Sequence, residues 1–342
     1  GTGDEGPGEM AYGRRPHLVA MLDLLRLTRP LNLLIIALTM YLMRSGLLRT
    51  LLEANGRHLR TSATDFALLV LSTVLVAAAG NIINDYFDTR IDRINKPGEV
   101  IVGRTVKRRV AMALHIALSA VGFLLGLYVA WHNGLLRWAL IPAFAIGALW
   151  TYSTSWKRKF LIGNGLVATL TALVPLTVGL YEIPLLQRHE SAGLLEQFGD
   201  PGLVDFYFSA LWVWIGGYAV FAFLSTLVRE LQKDMADVKG DKADGCRTVP
   251  IVMGMGWARG LVIFYVLVMV AGLLGVRRLL LDDEFSFWYI GLGVIAPLLL
   301  SAGLTYSARE RTDHVRAGIV MKLAMVMAVG YVAFLKLVLF AP

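Results

Sequence analysis

Six aspartates form two groups, each with a spacing of three and then four residues. In chain order they are Asp85, Asp88 and Asp92, followed by Asp234, Asp237 and Asp241. This spacing places side chains on one face of an α-helix. One turn before each group, Asn81 and Glu230 extend the two faces. The pattern therefore predicts two polar stripes of matching spacing, each along a helix.

The two stripes have a composition suited to binding divalent metal. Carboxylates three and four residues apart repel each other along a helix, so each stripe needs a neutralising cation. All the candidate ligands are oxygen donors, which favour Mg²⁺ or Mn²⁺ over zinc. Mg²⁺ is usually held by one or two carboxylates together with substrate phosphate oxygens. We therefore expect two facing stripes to bring all six aspartates together around about two Mg²⁺ ions and a bound diphosphate.

Basic and amide side chains accompany the carboxylates. Lys157 is the cation that we expect beside the diphosphate, because cations there offset the charge that develops on it. Further candidates for substrate binding are Asn32, Asn81, Asn84, Lys96, Arg104, Tyr152, Arg158 and Glu230. An acceptor that carries a phosphate needs a second cationic patch, for which Arg104, Lys107 and Arg108 are candidates. Lys322 lies within an apolar segment, and its role is open between facing a cavity and reaching the headgroups.

The surrounding chain is too apolar for a soluble protein. Of its 342 residues, 56% are hydrophobic and 17% are charged, whereas soluble domains carry about 25% charged residues. Apolar runs of about twenty residues match the thickness of a bilayer. Nine runs of this kind predict an all-α protein with nine transmembrane helices, near 31–48, 66–85, 108–131, 136–153, 163–182, 208–230, 258–276, 287–306 and 315–339.

The charges between these segments predict an orientation. Most of the 33 Lys and Arg residues fall in alternate loops, including those after the second and sixth segments, while a more acidic loop spans 182–206. Positive loops stay in the cytoplasm. We therefore expect a cytoplasmic N-terminus, an external C-terminus and a site at the cytoplasmic face. The net charge of +8 reflects this asymmetry and does not indicate nucleic-acid binding.

The organisation of the chain follows from the two stripes. Residues 1–22 read as a flexible tail or an expression remnant, and residues 23–342 as one membrane domain. The stripes close the second and the sixth predicted helices. This repetition predicts two related four-helix halves and an added ninth helix around a central cavity, with the binding site between the halves.

The motifs resemble those of the UbiA superfamily of intramembrane prenyltransferases. The resemblance lies in NDYFDTRID (84–92) followed by NKPGEVIVGR (95–104), in RELQKDMADVKGDKADGCRTVPIVMG (229–254), in YSTSWKR (152–158) and in RPLNL (29–33). It covers almost the whole chain and implies a nine-helix enzyme. Within the superfamily, the second motif is most similar to that of enzymes that add a geranylgeranyl group to geranylgeranylglyceryl phosphate in ether-lipid biosynthesis.

The resemblance also implies roles for the candidate residues. It implies that the six aspartates, with Asn84, bind Mg²⁺ and the diphosphate, that Lys157 and Tyr152 help to hold or ionise it, and that Asn32 lines the pocket. The residues expected to act in catalysis are Asp85, Asp88, Asp237, Asp241 and Lys157. The expected partners are a prenyl diphosphate, a lipid or aromatic acceptor and membrane lipids, with no nucleic acid and no obligate protein partner.

Three other interpretations are weighed against this one. Aromatic-acceptor prenyltransferases of quinone or haem biosynthesis share the motifs and differ in the acceptor. A transporter also has repeats and intramembrane carboxylates, but aspartates gathered at one membrane face beside Lys and Arg favour a bound anion with metal. The motif of a CDP-alcohol phosphotransferase begins with Asp-Gly and continues to Ala-Arg before its later aspartates. No such run precedes Asp85.

Overall fold

The computed structural model describes residues 17–340, which contain no β-strand. Its main helices are α1 (His17–Thr28), α2 (Pro30–Glu53), α3 (Ala63–Asn95), α4 (Arg108–His132), α5 (Leu140–Thr154), α6 (Ile162–Phe198), α7 (Pro201–Ala243), α8 (Met255–Leu280), α9 (Glu284–Ser307) and α10 (Arg311–Phe334). A last short helix, Leu335–Phe340, follows α10. The protein is therefore all-α, as the sequence predicts.

Eight of these helices, α2 to α4 and α6 to α10, are long and apolar enough to cross a bilayer. The chain is an integral, multi-pass membrane protein. The predicted segment at 136–153 is also helical, but it consists of a 3₁₀ turn at Leu136–Ala139 and the 15-residue helix α5. Helix α5 by itself is shorter than the roughly 20 residues that span a bilayer.

The predicted external loop at 182–206 is wrong for most of its length, because α6 continues to Phe198. Two of the acidic residues in this segment, Glu182 and Glu190, are buried within the protein. Glu182 is 1% exposed and Glu190 is 5% exposed, and Glu190 pairs with Arg57 at 2.9 Å. Since both carboxylates contact partners in the protein, their charge does not require the helix to end.

The N-terminal boundary differs from the one expected. Helix α1 begins at His17, so residues 17–22 of the predicted tail are helical. Residues 1–16 of that predicted tail lie outside the described residues.

Close helix contacts bring the two carboxylate stripes into one assembly. Helices α3 and α4 approach closely at Gly122 and Gly126, where an added Cβ would lie within about 3 Å of α3 atoms. Small residues allow such approach in membrane helices. Helix α7 packs beside α6, α8 and α10. Its C-terminal end, which is predicted to lie at the cytoplasmic face, contacts α3 at Asn95. The fold therefore positions α3 and α7, the two stripe helices, next to each other.

Candidate active site

A cavity of about 1040 Å³ lies among α2, α3, α5, α6, α7 and α10. One end is polar and carries the first stripe. The predicted site residues that line it are Asn32, Asn81, Asn84, Asp85, Asp88, Asp92, Lys96, Arg104, Tyr152 and Glu230. The other end is lined mainly by apolar side chains of α3 and α6 and reaches Tyr181. The cavity thus joins a charged mouth to an apolar interior.

Each of the first two carboxylates contacts a cation. Arg29 Nη2 lies 2.6 Å from Asp85 Oδ1, and the Lys157 ammonium forms a direct ion pair with Asp88. Asn84 Nδ2 donates a hydrogen bond to Asp88 Oδ2 at 2.9 Å. The repulsion that the spacing predicts is therefore offset by basic side chains from other segments.

Lys157 is held at the stripe by a tight turn between α5 and α6. The turn is a 3₁₀ segment at Trp156–Arg158, and Leu161 follows with a left-handed φ of 59°. A Cβ at Gly163 would lie 2.8 Å from the Lys157 Cα, so only glycine fits there without a shift. Burial lowers the pKa of the Lys157 ammonium to about 8, while contact with the Asp88 carboxylate favours its charged form.

Lys157 and Arg158 are both absent from the residues that line the cavity, and Arg158 makes its contacts elsewhere. Its Nη2 lies 2.9 Å from Asp244 Oδ2, and its backbone oxygen accepts a hydrogen bond from Arg247 N at 2.9 Å. The prediction that Arg158 binds substrate is therefore not supported by its position. Lys157 and Arg158 of the same turn therefore contact different carboxylates, Asp88 and Asp244. The linear sequence does not distinguish these two positions.

The second stripe is divided between surfaces. Glu230 lines the cavity and contacts Arg229 at 3.3 Å and Lys233 at 3.9 Å. The three following aspartates are not among the lining residues. Asn164 Nδ2 donates to Asp234 Oδ2 at 2.8 Å, and Arg311 Nε to Asp237 Oδ1 at 3.4 Å. The expected gathering of six aspartates at one surface is therefore not the arrangement seen, since the rotation of α7 directs these two to neighbouring helices.

Asn95 connects the two stripe helices. Its Oδ1 accepts a hydrogen bond from Gly240 N at 3.0 Å, and its Nδ2 donates to the backbone oxygen of Asp237 at 3.3 Å. Asn95 was not among the predicted site residues. It lies three residues after Asp92 on the same helical face, which is the signal that could have identified it.

The residues of the first stripe fit a hard cation. Asn84 Oδ1 is buried and has no hydrogen-bond partner among the described residues. Its neighbours Asp85 and Asp88 supply further oxygen donors of the kind that Mg²⁺ prefers. Within residues 17–340, no three Asp, Glu, His or Cys side chains lie close enough together to hold a metal ion. Ion pairs with Arg29 and Lys157 take up part of the ligand set.

Several basic residues at the cavity were not assigned to the site from the sequence. Arg229, Lys233 and Lys322 all line it, and Lys322 Nζ donates a hydrogen bond to Asn32 Oδ1 at 2.6 Å. Lys322 is recognisable in the sequence as a charge inside an apolar helix. The candidates Lys107 and Arg108 lie elsewhere, with Arg108 stacked 4.1 Å over the Tyr86 ring.

The fold places the chain in a known structural class of membrane proteins. A UbiA homolog from Aeropyrum pernix K1 has a TM-score of 0.60 at 18% identity, over 88% of this chain and 98% of that chain. A UbiA homolog from Archaeoglobus fulgidus, solved with DMAPP and Mg²⁺, has a TM-score of 0.54 at 17% identity, over 91% and 99%. At these identities the likeness concerns the fold alone.

Sequence comparison then assigns the family. Residues 33–326 match the UbiA prenyltransferase family, and the chain belongs to that family. It is therefore a prenyltransferase. A digeranylgeranylglyceryl phosphate synthase from Thermococcus kodakarensis is 30% identical over 319 residues, which is 91% of this chain and 96% of the relative.

Proposed function

We propose that this enzyme transfers a geranylgeranyl group from its diphosphate to geranylgeranylglyceryl phosphate at the membrane. The observation that carries the proposal is a continuous cavity, which joins the carboxylate stripe of α3 to an apolar interior that reaches Tyr181. A prenyl diphosphate has the same two parts, a charged head and an apolar tail. The digeranylgeranylglyceryl phosphate synthase similar over 91% of this chain supports the choice of acceptor.

Mg²⁺ is the proposed cofactor, with Mn²⁺ as a substitute. Asn84, Asp85, Asp88 and Asp92 of α3 would hold one of two ions, and Asp234, Asp237 and Asp241 of α7 are proposed to serve the second. The A. fulgidus homolog, which was solved with DMAPP and Mg²⁺, supports this use of divalent metal. A metal ion held there would withdraw electron density from the diphosphate and so favour its departure.

The chain's own residues favour ionisation of the donor. Lys157 and Arg29, each already against a stripe carboxylate, would place positive charge beside the departing diphosphate. Lys96 and Arg104 line the same mouth and would add to it. The apolar walls exclude water, which otherwise reacts with the allylic carbon.

The transfer step exchanges one carbon–oxygen bond for another. The bond between C1 of the donor and the diphosphate oxygen breaks, and the acceptor hydroxyl oxygen bonds to C1. The hydroxyl proton passes to a base, for which one carboxylate of the second stripe is proposed. Diphosphate leaves with the bonding electrons, so charge and atoms balance.

We further propose that the polar mouth faces the cytoplasm. The concentration of Lys and Arg in the segments on that side supports this orientation, with the N-terminus inside and the C-terminus outside. In this arrangement Leu136–Ala139 and α5 together form a ninth crossing, and the two stripe helices occupy matching positions in two halves. No obligate protein partner is proposed.

Purified protein in detergent or nanodiscs tests the function directly. It would be incubated with Mg²⁺ and labelled geranylgeranyl diphosphate, with geranylgeranylglyceryl phosphate, 4-hydroxybenzoate or dihydroxynaphthoate as acceptor. A product whose mass equals geranylgeranylglyceryl phosphate plus one geranylgeranyl group is expected. A product with an aromatic acceptor alone would contradict the lipid acceptor, and solute uptake into vesicles without any prenylated product would indicate a transporter.

A further inference from the structure

Lys322 is a charge placed deep in the protein without a carboxylate partner. It lies 11 residues after Arg311 in α10, or about 16 Å along the axis at 1.5 Å per residue. It lines the cavity and donates to Asn32 Oδ1 at 2.6 Å. No ion pair to Lys322 occurs among the described residues. Charges at this depth of a membrane helix usually serve a bound ligand or ion.

The neighbouring wall of the cavity has an excess of positive charge. Arg229 of α7 lines the same cavity as Lys322, and Lys233 lies one turn further along α7. Glu230 is the carboxylate that contacts both α7 cations, at 3.3 Å and 3.9 Å. The charged residues of α7 and α10 that line the cavity are therefore three cations and one carboxylate. A ligand with about two negative charges would balance this excess, and a phosphate monoester carries about −1.5 to −2 at pH 7.

The cations of this wall differ from those proposed for the donor. Lys157 and Arg29 are assigned to the donor's diphosphate, whereas Arg229 and Lys233 belong to α7 and Lys322 belongs to α10. Two anionic groups in one cavity need separate cations, because they otherwise compete for the same charge. Arg104 remains at the mouth, where its Nη1 donates to Gly98 O at 3.4 Å.

We propose that Lys322 and Arg229, with Asn32, bind the phosphate of the acceptor. This rests on the proposed function and names the residues that recognise the acceptor. Lys322 and Arg229 supply charge, and Asn32 orients the Lys322 ammonium. The acceptor's hydroxyl is then held near C1 of the donor, while its own phosphate binds cations other than Lys157 and Arg29.

The test compares two acceptors in two variants. Lys322→Gln and Arg229→Gln would be assayed with geranylgeranylglyceryl phosphate and with geranylgeranylglycerol, which lacks the phosphate. We expect KM for the phosphorylated acceptor to rise about 10- to 100-fold, the loss typical of one hydrogen bond to a charged group. The KM for the donor and the turnover of the neutral acceptor should change less than about threefold, and Lys322→Arg should restore most of the affinity.

Lys336→Gln is the matched control, since Lys336 pairs with Glu53 at 3.2 Å and does not line the cavity. It should leave both acceptors unaffected. The proposal is overturned if Lys322→Gln raises the donor KM, or if it weakens both acceptors equally. It is also overturned if folded Lys322→Gln protein, checked by gel filtration and thermal melting, keeps the wild-type KM for the phosphorylated acceptor. Failure of the proposed function is distinct, because wild-type enzyme would then prenylate neither acceptor.

Discussion

Asn95 of α3 hydrogen-bonds to the α7 backbone on both sides of a turn, through Gly240 N at 3.0 Å and Asp237 O at 3.3 Å. A Cβ at position 240 would lie 2.5 Å from the Asn95 amide nitrogen. The distance between the two stripe helices therefore depends on an asparagine and a glycine that carry no charge. This contact determines how the helices that we propose to bind the metal face each other.

Gly240→Ala should separate the stripe helices and lower activity. The added methyl group meets the Asn95 side chain, and overpacking of this kind typically costs about 1–3 kcal/mol of stability. We expect a lower melting temperature and at least about a tenfold loss of kcat/KM, since misplacement by about 1 Å reduces catalysis strongly. Gly217→Ala is the control, because no atom lies within 4 Å of its Cβ position. If Gly240→Ala and Gly217→Ala had the same melting temperature and the same kcat/KM, the contact between Asn95 and Gly240 would have no role in activity.

Lys157→Met should remove most of the prenyl transfer. The Asp88 carboxylate would lose the cation that contacts it, and the donor would lose charge beside its leaving group. We expect kcat/KM to fall about 100-fold or more, measured as Mg²⁺-dependent release of diphosphate. Asp88→Asn should lower it comparably, and the double variant should lose much less than the product of the two effects, since the residues act as a pair.

Lys159→Met provides the comparison for Lys157, because Lys159 is exposed in the same connection. It should keep near-wild-type activity. If Lys157→Met also kept near-wild-type activity, Lys157 would have no part in the reaction and Asp88 would need another partner.

Gly163→Ala should displace Lys157 without changing any charged residue. The methyl group would lie 2.8 Å from the Lys157 Cα and 3.2 Å from Trp156 O, so the backbone of the turn has to shift. We expect a fall of about tenfold or more in kcat with little change in the KM of the acceptor. Gly165→Ala, two residues later with open space around it, should behave as wild type. A wild-type kcat for Gly163→Ala would show that the turn tolerates the shift.

Tyr181→Ala should alter the choice of donor length. Tyr181 is the last residue of α6 that lines the cavity, and Val167 is the first. The two lie about 21 Å apart along the helix axis, at 1.5 Å per residue. Removing its ring lengthens the apolar interior, so kcat/KM for a five-isoprene donor should rise relative to the four-isoprene donor. A change of about tenfold or more in this ratio is expected, because each methylene is worth about 1–3 kcal/mol in such pockets.

Tyr207→Ala is the matched control for donor length. Its hydroxyl is also buried without a hydrogen-bond partner, but it does not line the cavity. The variant should lose stability as Tyr181→Ala does, with an unchanged preference among donors. A shift in donor preference in both variants, or in neither, would refute Tyr181 as the end of the donor site.

The chain's apolar runs and stripe spacing were sufficient to predict an all-helical membrane protein and part of the set of residues that line its charged cavity. Asp85, Asp88 and Asp92 line that cavity together because helical periodicity is local and can be read from one segment. The end of α6 was not predictable in this way. Glu182 and Glu190 resemble loop residues until their partners, among them Arg57 from a distant segment, are brought beside them.

The sequence by itself determined the class of chemistry, since oxygen ligands at helical spacing beside basic residues follow from residue type and periodicity. Only the tertiary structure decided which of these groups meet. The rotation of α7 directs Asp234 towards Asn164 and Asp237 towards Arg311, and the packing of α10 brings Lys322 to Asn32, 290 residues away in sequence. Such contacts depend on the packing of whole helices against each other, and the spacing within one segment contains no information about it.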